Sequence, residues 1–145
     1  MELVRTRCWL EEIALRESIR NGDEAWEEDV VLAYHRLSRA PHPTDEESFN
    51  TNPEWEAIHR QYHLALISAC NSSLLLGYCG QLHEQALRYR NLSAVVAYRE
   101  RHEQDEHEAI RDAALDRHAD RAVELLIAHF KVTADIVMSS GALTG

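Results

Sequence analysis

The chain has 145 residues and a formal net charge of −10, from 25 Asp and Glu against 15 Lys and Arg, so it is a poor candidate for contacting nucleic acid through phosphate neutralisation by itself. It is 45% hydrophobic and 28% charged, which fits one globular domain with its own core, and its 5 Gly and 3 Pro are too few for the turns of a many-stranded sheet. No apolar run approaches the ~20 residues of a membrane span and no basic stretch leads into an apolar block at the start, so a cytoplasmic location is expected.

Leu3, Trp9, Leu10, Ile13, Ala14 and Ile19 recur at helical spacing, predicting a helix over 3–21 that stops at Asn21-Gly22. Asp23 is placed as the N-cap of a second helix to about Ser38, with Trp26, Val30, Val31, Ala33 and Tyr34 inward. The short connector predicts that these two helices pack as an antiparallel hairpin. Residues 39–53 hold all the prolines and read as a loop. Asn52-Pro53 then opens a central helix over 55–71, WEAIHRQYHLALISACN, and Cys70-Asn71-Ser72-Ser73 ends it and caps the next.

The fourth helix runs from about Ser73 to Arg90, with Leu74, Leu75, Tyr78, Cys79, Leu82, Ala86 and Tyr89 as its apolar face. Residues 91–98 read either as its continuation or as a loop. A charged fifth helix spans about Arg99–Arg117, with Ile110, Ala113, Ala114 and Leu115 late in it. A sixth runs from Asp120 to about Met138, with Ala122, Val123, Leu125, Leu126, Phe130, Ile136 and Val137 inward. Residues 139–145 read as a tail beyond a 1–138 domain. The 3 cysteines, Cys8, Cys70 and Cys79, make neither an even disulfide set nor a CxxC pair and are expected as buried thiols. The pattern is all-α, a bundle of about six helices, without internal repeat, P-loop, GxGxxG or GxSxG.

The 9 histidines are unequal. His59 and His63 are four apart on the central helix and therefore share one face, the arrangement by which a helix offers two imidazoles to one metal ion. His107 precedes Ala109-Ile110 and shares a side with Ala114, while His129 sits beside Phe130 and one turn after Leu125. Taken singly, each reads sooner as a hydrogen-bonded core histidine than as a ligand. Taken together, inward histidines on three helices concentrate buried polarity that one divalent ion would satisfy. Spacing alone leaves metal site and hydrogen-bonded core as equal alternatives. His35, His42, His83, His102 and His118 lie on polar stretches or in loops and are assigned to surface or packing.

Arg7-Cys8-Trp9-Leu10-Glu11, Tyr62-His63 followed by Leu66-Ile67 and Asn71, Glu106-His107, and Ala122 with Leu125-Leu126 before His129 form an ordered set. In order and spacing the set resembles the FCD domain, the effector-binding carboxy-terminal domain of a branch of the GntR-type bacterial transcription regulators, from residue 1 to about 138. The resemblance implies an antiparallel bundle of six to seven helices with an internal metal and effector cavity. Family ligands are an Asp or Asn and three histidines; carried over, the histidines fall on His63, His107 and His129, and the Asp or Asn position falls on His59. Either His59 replaces the carboxylate, giving four nitrogens that suit zinc or nickel better than calcium or magnesium, or it swings aside and leaves three histidines plus water or effector.

An ion with no ligand carboxylate keeps its full double charge, so the expected effector is a small carboxylic acid, with one oxygen on the metal and the rest held by arginine forks. Arg7, Arg88 and Arg90 are the candidates for that clamp, with Asn71 of the family motif beside them as effector-binding. The bland alternative for each arginine is a surface ion pair. The expected function is a regulatory, non-enzymatic sensing module, a homodimer, which touches DNA only through a winged-helix domain; the family carries one ahead of this domain, and no basic recognition helix precedes Arg7. Two competing readings are a helical metalloenzyme with a three-histidine site and a plain structural bundle without metal. Against the enzyme, HRQYH places Arg60 and Gln61 where a zinc-protease motif has its glutamate, although Glu103 or Glu106 could act as base.

Overall fold

The computed structural model describes residues 2–40, 53–97 and 103–139. Among them are six helices and no strand: α1 (Glu2–Asn21), α2 (Glu24–Arg39), α3 (Pro53–Ile67), α4 (Ser73–Ala97), α5 (Glu103–Leu115) and α6 (Ala119–Ser139). Most of the expected 39–53 loop, the Asn52 cap, residues 98–102 at the expected start of the fifth helix, and the tail beyond Ser139 lie outside the described residues. So do the side chains of Tyr89, Arg90, Ile136 and Val137.

Helix ends follow local chemistry. Asp23 Oδ1 accepts from the Trp26 amide at 3.0 Å and caps α2; Ser72 Oγ accepts from the Leu75 amide at 3.1 Å ahead of α4. α5 ends in a double reverse bond, His118 N to Ala113 O at 3.0 Å and Arg117 N to Ala114 O at 3.1 Å, with Arg117 at φ 63°. α3 is shorter than the 55–71 expectation. It stops at Ile67, where tight Ser68–Ala65 and Cys70–Ile67 backbone bonds replace the helical ladder, and Asn71 takes φ 63°. α4 is longer than the fourth helix as first read, running through the ambiguous segment to Ala97.

α1 packs against α3, α4 and α6; α2 packs against α3 and α5; and the bundle closes with α5 on α6, α4 on α6 and α3 on α4. The expected α1–α2 hairpin is not formed, because α2 packs along α3 and α5 rather than along α1. The corner between them explains the change of direction. Trp26 lies so close over Gly22 that a Cβ there would stand 2.4 Å from its ring. The Trp26 indole donates to the Ala65 and Leu66 carbonyls near the end of α3, at 3.1 and 3.3 Å. Arg117 locks the same corner, donating to Ile19 O at 2.7 Å, Gly22 O at 2.8 Å and Glu27 Oε1 at 2.7 Å.

Tyr62, Leu15, Leu66, Ile67, Ile110 and Leu126 are fully buried, with Trp26, Trp55 and Phe130 nearly so. Cys8, Cys70 and Cys79 are free thiols inside, as expected. The apolar stripe read for α1 is its inner face only in part: Ala14 and Ile19 are buried and Leu10 packs against the core. Trp9 and Ile13 are 59% and 54% exposed, while Arg7, Cys8, Glu11, Ala14, Leu15, Ser18 and Ile19 point inward. Val31, Leu74 and Tyr78, also read as inward, are exposed. No helix among the described residues is long and apolar enough to cross a membrane.

Candidate metal centre

Three helices meet at a knot of imidazoles. α3 contributes His59 and His63, α5 contributes His107 and α6 contributes His129, and all four are buried. One potential ligand atom from each lies within 4.8 Å of the others. His59 is the hub: its Nε2 is 3.1 Å from His63 Nε2 and 3.2 Å from His107 Nε2. The His129 ring stacks on His63 at 5.3 Å and tilts against His107 at 4.6 Å.

The two Nε2–Nε2 contacts at His59 are more than one hydrogen bond explains. A neutral imidazole Nε2 carries either one proton or one lone pair, so His59 Nε2 cannot form a proper hydrogen bond with both Nε2 neighbours at once. His63 Nδ1 is also buried without a hydrogen-bond partner. Four histidines with a potential ligand atom each, all within 4.8 Å of one another, are a set that could hold a divalent ion. Metal–nitrogen bonds of ~2.0–2.1 Å in tetrahedral array separate ligand nitrogens by about 3.4 Å, close to the 3.1 and 3.2 Å contacts of His59 within a set that spans up to 4.8 Å. The residues present therefore fit a metal, which His59, His63, His107 and His129 would hold and which would supply a buried double positive charge.

The surroundings prepare the ligands. Burial, reinforced by His107, His129, His83 and Arg7, holds His63 well below the ordinary imidazole pKa, so it stays in the neutral form that ligates. His129 Nδ1 donates to Glu106 Oε1 at 3.0 Å, which fixes the proton on Nδ1 and leaves Nε2 its lone pair, a carboxylate–histidine arrangement typical of metal ligands. Tyr62 Oη donates to the His107 carbonyl at 2.5 Å and pins α5 to α3; burial drives the Tyr62 hydroxyl pKa upward, so it remains a donor. Trp55, one turn before His59, stacks on that ring at 4.8 Å.

A fifth histidine belongs to this neighbourhood. His83 on α4, first assigned to surface or packing, is buried with its ring centroid 6.0 Å from His59 and 5.9 Å from His63. Its Nδ1 accepts from Arg7 Nη2 at 3.0 Å; because arginine only donates, the His83 proton sits on Nε2. The signal was present: His83 is one turn after the fully buried Cys79. Arg7 is itself buried, with its guanidinium carbon 3.9 Å from the centre of the Phe130 ring. One turn on, Glu11 is buried, and desolvation raises its pKa to about 7 against the lowering influence of Arg7. The other effector candidates are placed differently. Arg88 is exposed on α4, Asn71 is exposed in the left-handed turn after α3, and the Arg90 side chain lies outside those described. Two surface grooves, of ≈ 610 Å³ between α1 and α6 and ≈ 400 Å³ between α3 and α4, are lined by none of the cluster histidines.

The all-α bundle brings four buried histidines from three helices together, a set positioned to bind a metal ion. The chain matches the FCD domain over residues 2–132, and it belongs to that family, the effector-binding domain of GntR-type regulators. It is 41% identical over 142 residues to the HTH-type transcriptional regulator BphR of Paraburkholderia xenovorans, covering 98% of this chain and 58% of that protein. It is 27% identical to the HTH-type transcriptional repressor GlaR of Escherichia coli, covering 97% of this chain and 64% of the relative. A GntR-family transcriptional regulator from Pseudomonas syringae pv. tomato shares the fold with TM-score 0.78 at 19% identity, covering 95% of this chain and 54% of that structure. The chain thus spans somewhat over half the length of these relatives, all of which are transcription regulators.

Proposed function

We propose that the chain is the sensing domain of a GntR-type transcriptional regulator. In this reading His59, His63, His107 and His129 hold one divalent ion, zinc or nickel, and a small carboxylic acid is the effector. The observation that carries the reading is the set of Nε2–Nε2 contacts around His59, which hydrogen bonds cannot satisfy and one cation can. A buried ion of charge +2 beside the buried Arg7 guanidinium favours an anion in an internal cavity.

Arg7 is the arginine best placed to clamp that acid, because it and His83 present N–H donors next to the cluster. Arg88, Arg90 and Asn71 are secondary candidates for the clamp. The domain works as a homodimer in the cytoplasm and alters DNA affinity through a winged-helix domain, the part that contacts the operator.

Elemental analysis of untagged protein purified without chelator tests the reading. About one zinc or nickel per chain, lost in the His63→Ala, His129→Ala double variant, is the expected result. A wild type that takes up no metal after reconstitution overturns it. With metal loaded, titration with small mono- and dicarboxylates should show weaker binding in Arg7→Lys at unchanged metal content; Arg88→Ala reports whether the α4 arginine shares the clamp.

A further inference from the structure

We propose that Trp55 sets the metal preference of this centre by holding His59 in the ligand set; the inference rests on the metal reading above. The indole lies flat on the His59 imidazole, with centroids 4.8 Å apart and planes 13° from parallel, and both side chains are buried. The spacing of one helical turn on α3 makes the contact possible, since positions i and i+4 share a face. At the ring's edge, Glu56 Oε2 stands 3.9 Å from His59 Nδ1, while Nε2 sits at the hub of the cluster.

The stacking acts differently on the two states of the site. An imidazole that donates its lone pair to a dication becomes electron-poor, and an electron-poor ring is drawn more strongly to the electron-rich indole face. Trp55 therefore favours the metal-bound His59 over the free one. It also decides which of two sites exists. With His59 held in, the ion sees four nitrogens, a set that favours zinc, nickel and copper; with His59 released, three nitrogens and an oxygen discriminate less against manganese. Trp55 is a positioning residue acting through His59, and it touches no substrate.

The test is chelator-competition titration of zinc alone and manganese alone against the wild-type chain, Trp55→Leu, Trp55→Phe, His59→Ala and the Trp55→Leu, His59→Ala double variant. Trp55→Leu should weaken zinc binding roughly three- to ten-fold, with less effect on manganese, so that the zinc-to-manganese ratio falls. Trp55→Phe, which keeps an aromatic face, should restore most of the ratio. In the His59→Ala background, Trp55→Leu should change nothing further, because its partner is gone. An unchanged ratio in Trp55→Leu, or an equal loss with and without His59, overturns the proposal and leaves the metal reading standing. A wild type that binds neither ion removes both. Nickel quenching of fluorescence gives a second readout: the emission lost in Trp55→Phe should be the fraction that nickel quenches, and a Trp55 contribution that nickel leaves unquenched overturns the contact.

Discussion

Removing the carboxylate of Glu106 tests the centre at a point that touches no metal. Glu106 Oε1 accepts from His129 Nδ1 at 3.0 Å, with His129 4% exposed and the carboxylate 29% exposed. The bond holds the ring's orientation and tautomer and makes Nε2 a better donor; losing such a partner costs about 10- to 100-fold in metal affinity. That range equals about 1.4–2.8 kcal/mol, and under saturating metal the same quantity is lost from the stability the metal confers. In a domain of this size the midpoint should fall by roughly 3–10 °C. Glu106→Gln, whose carbonyl still accepts from Nδ1, should sit at the mild end of the range and Glu106→Ala at the severe end, both with one ion per chain. Chelator competition measures the affinity and calorimetry with and without zinc measures the midpoint. Without metal, the variants should differ from wild type by only about 1 kcal/mol or less, as a partly exposed pair predicts. Glu106→Ala binding zinc as tightly as wild type, or losing as much stability without metal as with it, refutes the argument.

The pH dependence of the metal-free protein should carry the signature of Glu11. Its folded pKa of about 7 lies above the ordinary value of 4.5, so the folded state keeps a proton that the unfolded chain releases; stability is full below about pH 4.5 and falls as pH rises to about 7. Glu11→Gln should flatten that slope and be the more stable protein above pH 7, by an amount on the order of 3 kcal/mol, and an unaltered slope in denaturant titrations contradicts the assignment. Trp26→Phe strips the donor from the Ala65 and Leu66 carbonyls and should cost about 1–3 kcal/mol in urea unfolding. Gly22→Ala, whose Cβ meets the Trp26 ring at 2.4 Å, should cost a similar ~1–3 kcal/mol; a neutral result there means the α1–α2 corner is not held by Trp26.

What the sequence made legible was whatever depends on helical spacing within one element. The His59–His63 pair, the Glu106-His107 step, the Asp23 cap and the stop at Asn21-Gly22 are local properties, and the structure keeps them. Faces that depend on another helix were misread. Periodicity placed Ala14 and Ile19 of α1 inward, as they are, but the bundle turns Trp9 and Ile13 of the same stripe outward and buries Arg7, Glu11 and Ser18 beside them. Polar groups have uses inside: Arg7 meets His83, and Ser18 Oγ accepts from the Ala69 amide at 3.1 Å. His83 was weighed by its polar neighbours Gln81, Glu84 and Gln85 rather than by Cys79 one turn earlier, which is the position that shares its face. The direction of α2 was beyond reach for the same reason, since it is set by an indole reaching carbonyls near the end of a distant helix.

The placement of these groups bears on how a bound acid is felt elsewhere. Every cluster histidine stands on a helix and none on a loop: α3 supplies two, α5 and α6 one each, while α1 and α4 bring Arg7 and His83 to the edge of the cluster. Five of the six described helices therefore converge on a few ångströms of space. The remaining helix, α2, is tied to the same point through Tyr34, whose ring meets Tyr62 at 5.9 Å, and Tyr62 in turn bonds to the backbone of His107. Packed helices respond to a shift at such a crossing by moving as units rather than by absorbing it in side chains. In the proposed reading, an acid that takes a position on the ion and draws Arg7 toward it pulls α1 against α3 and α6. α1 also exposes Trp9 and Ile13 on its outer side, so the helix that senses the ligand from within also presents a surface on which that movement is displayed.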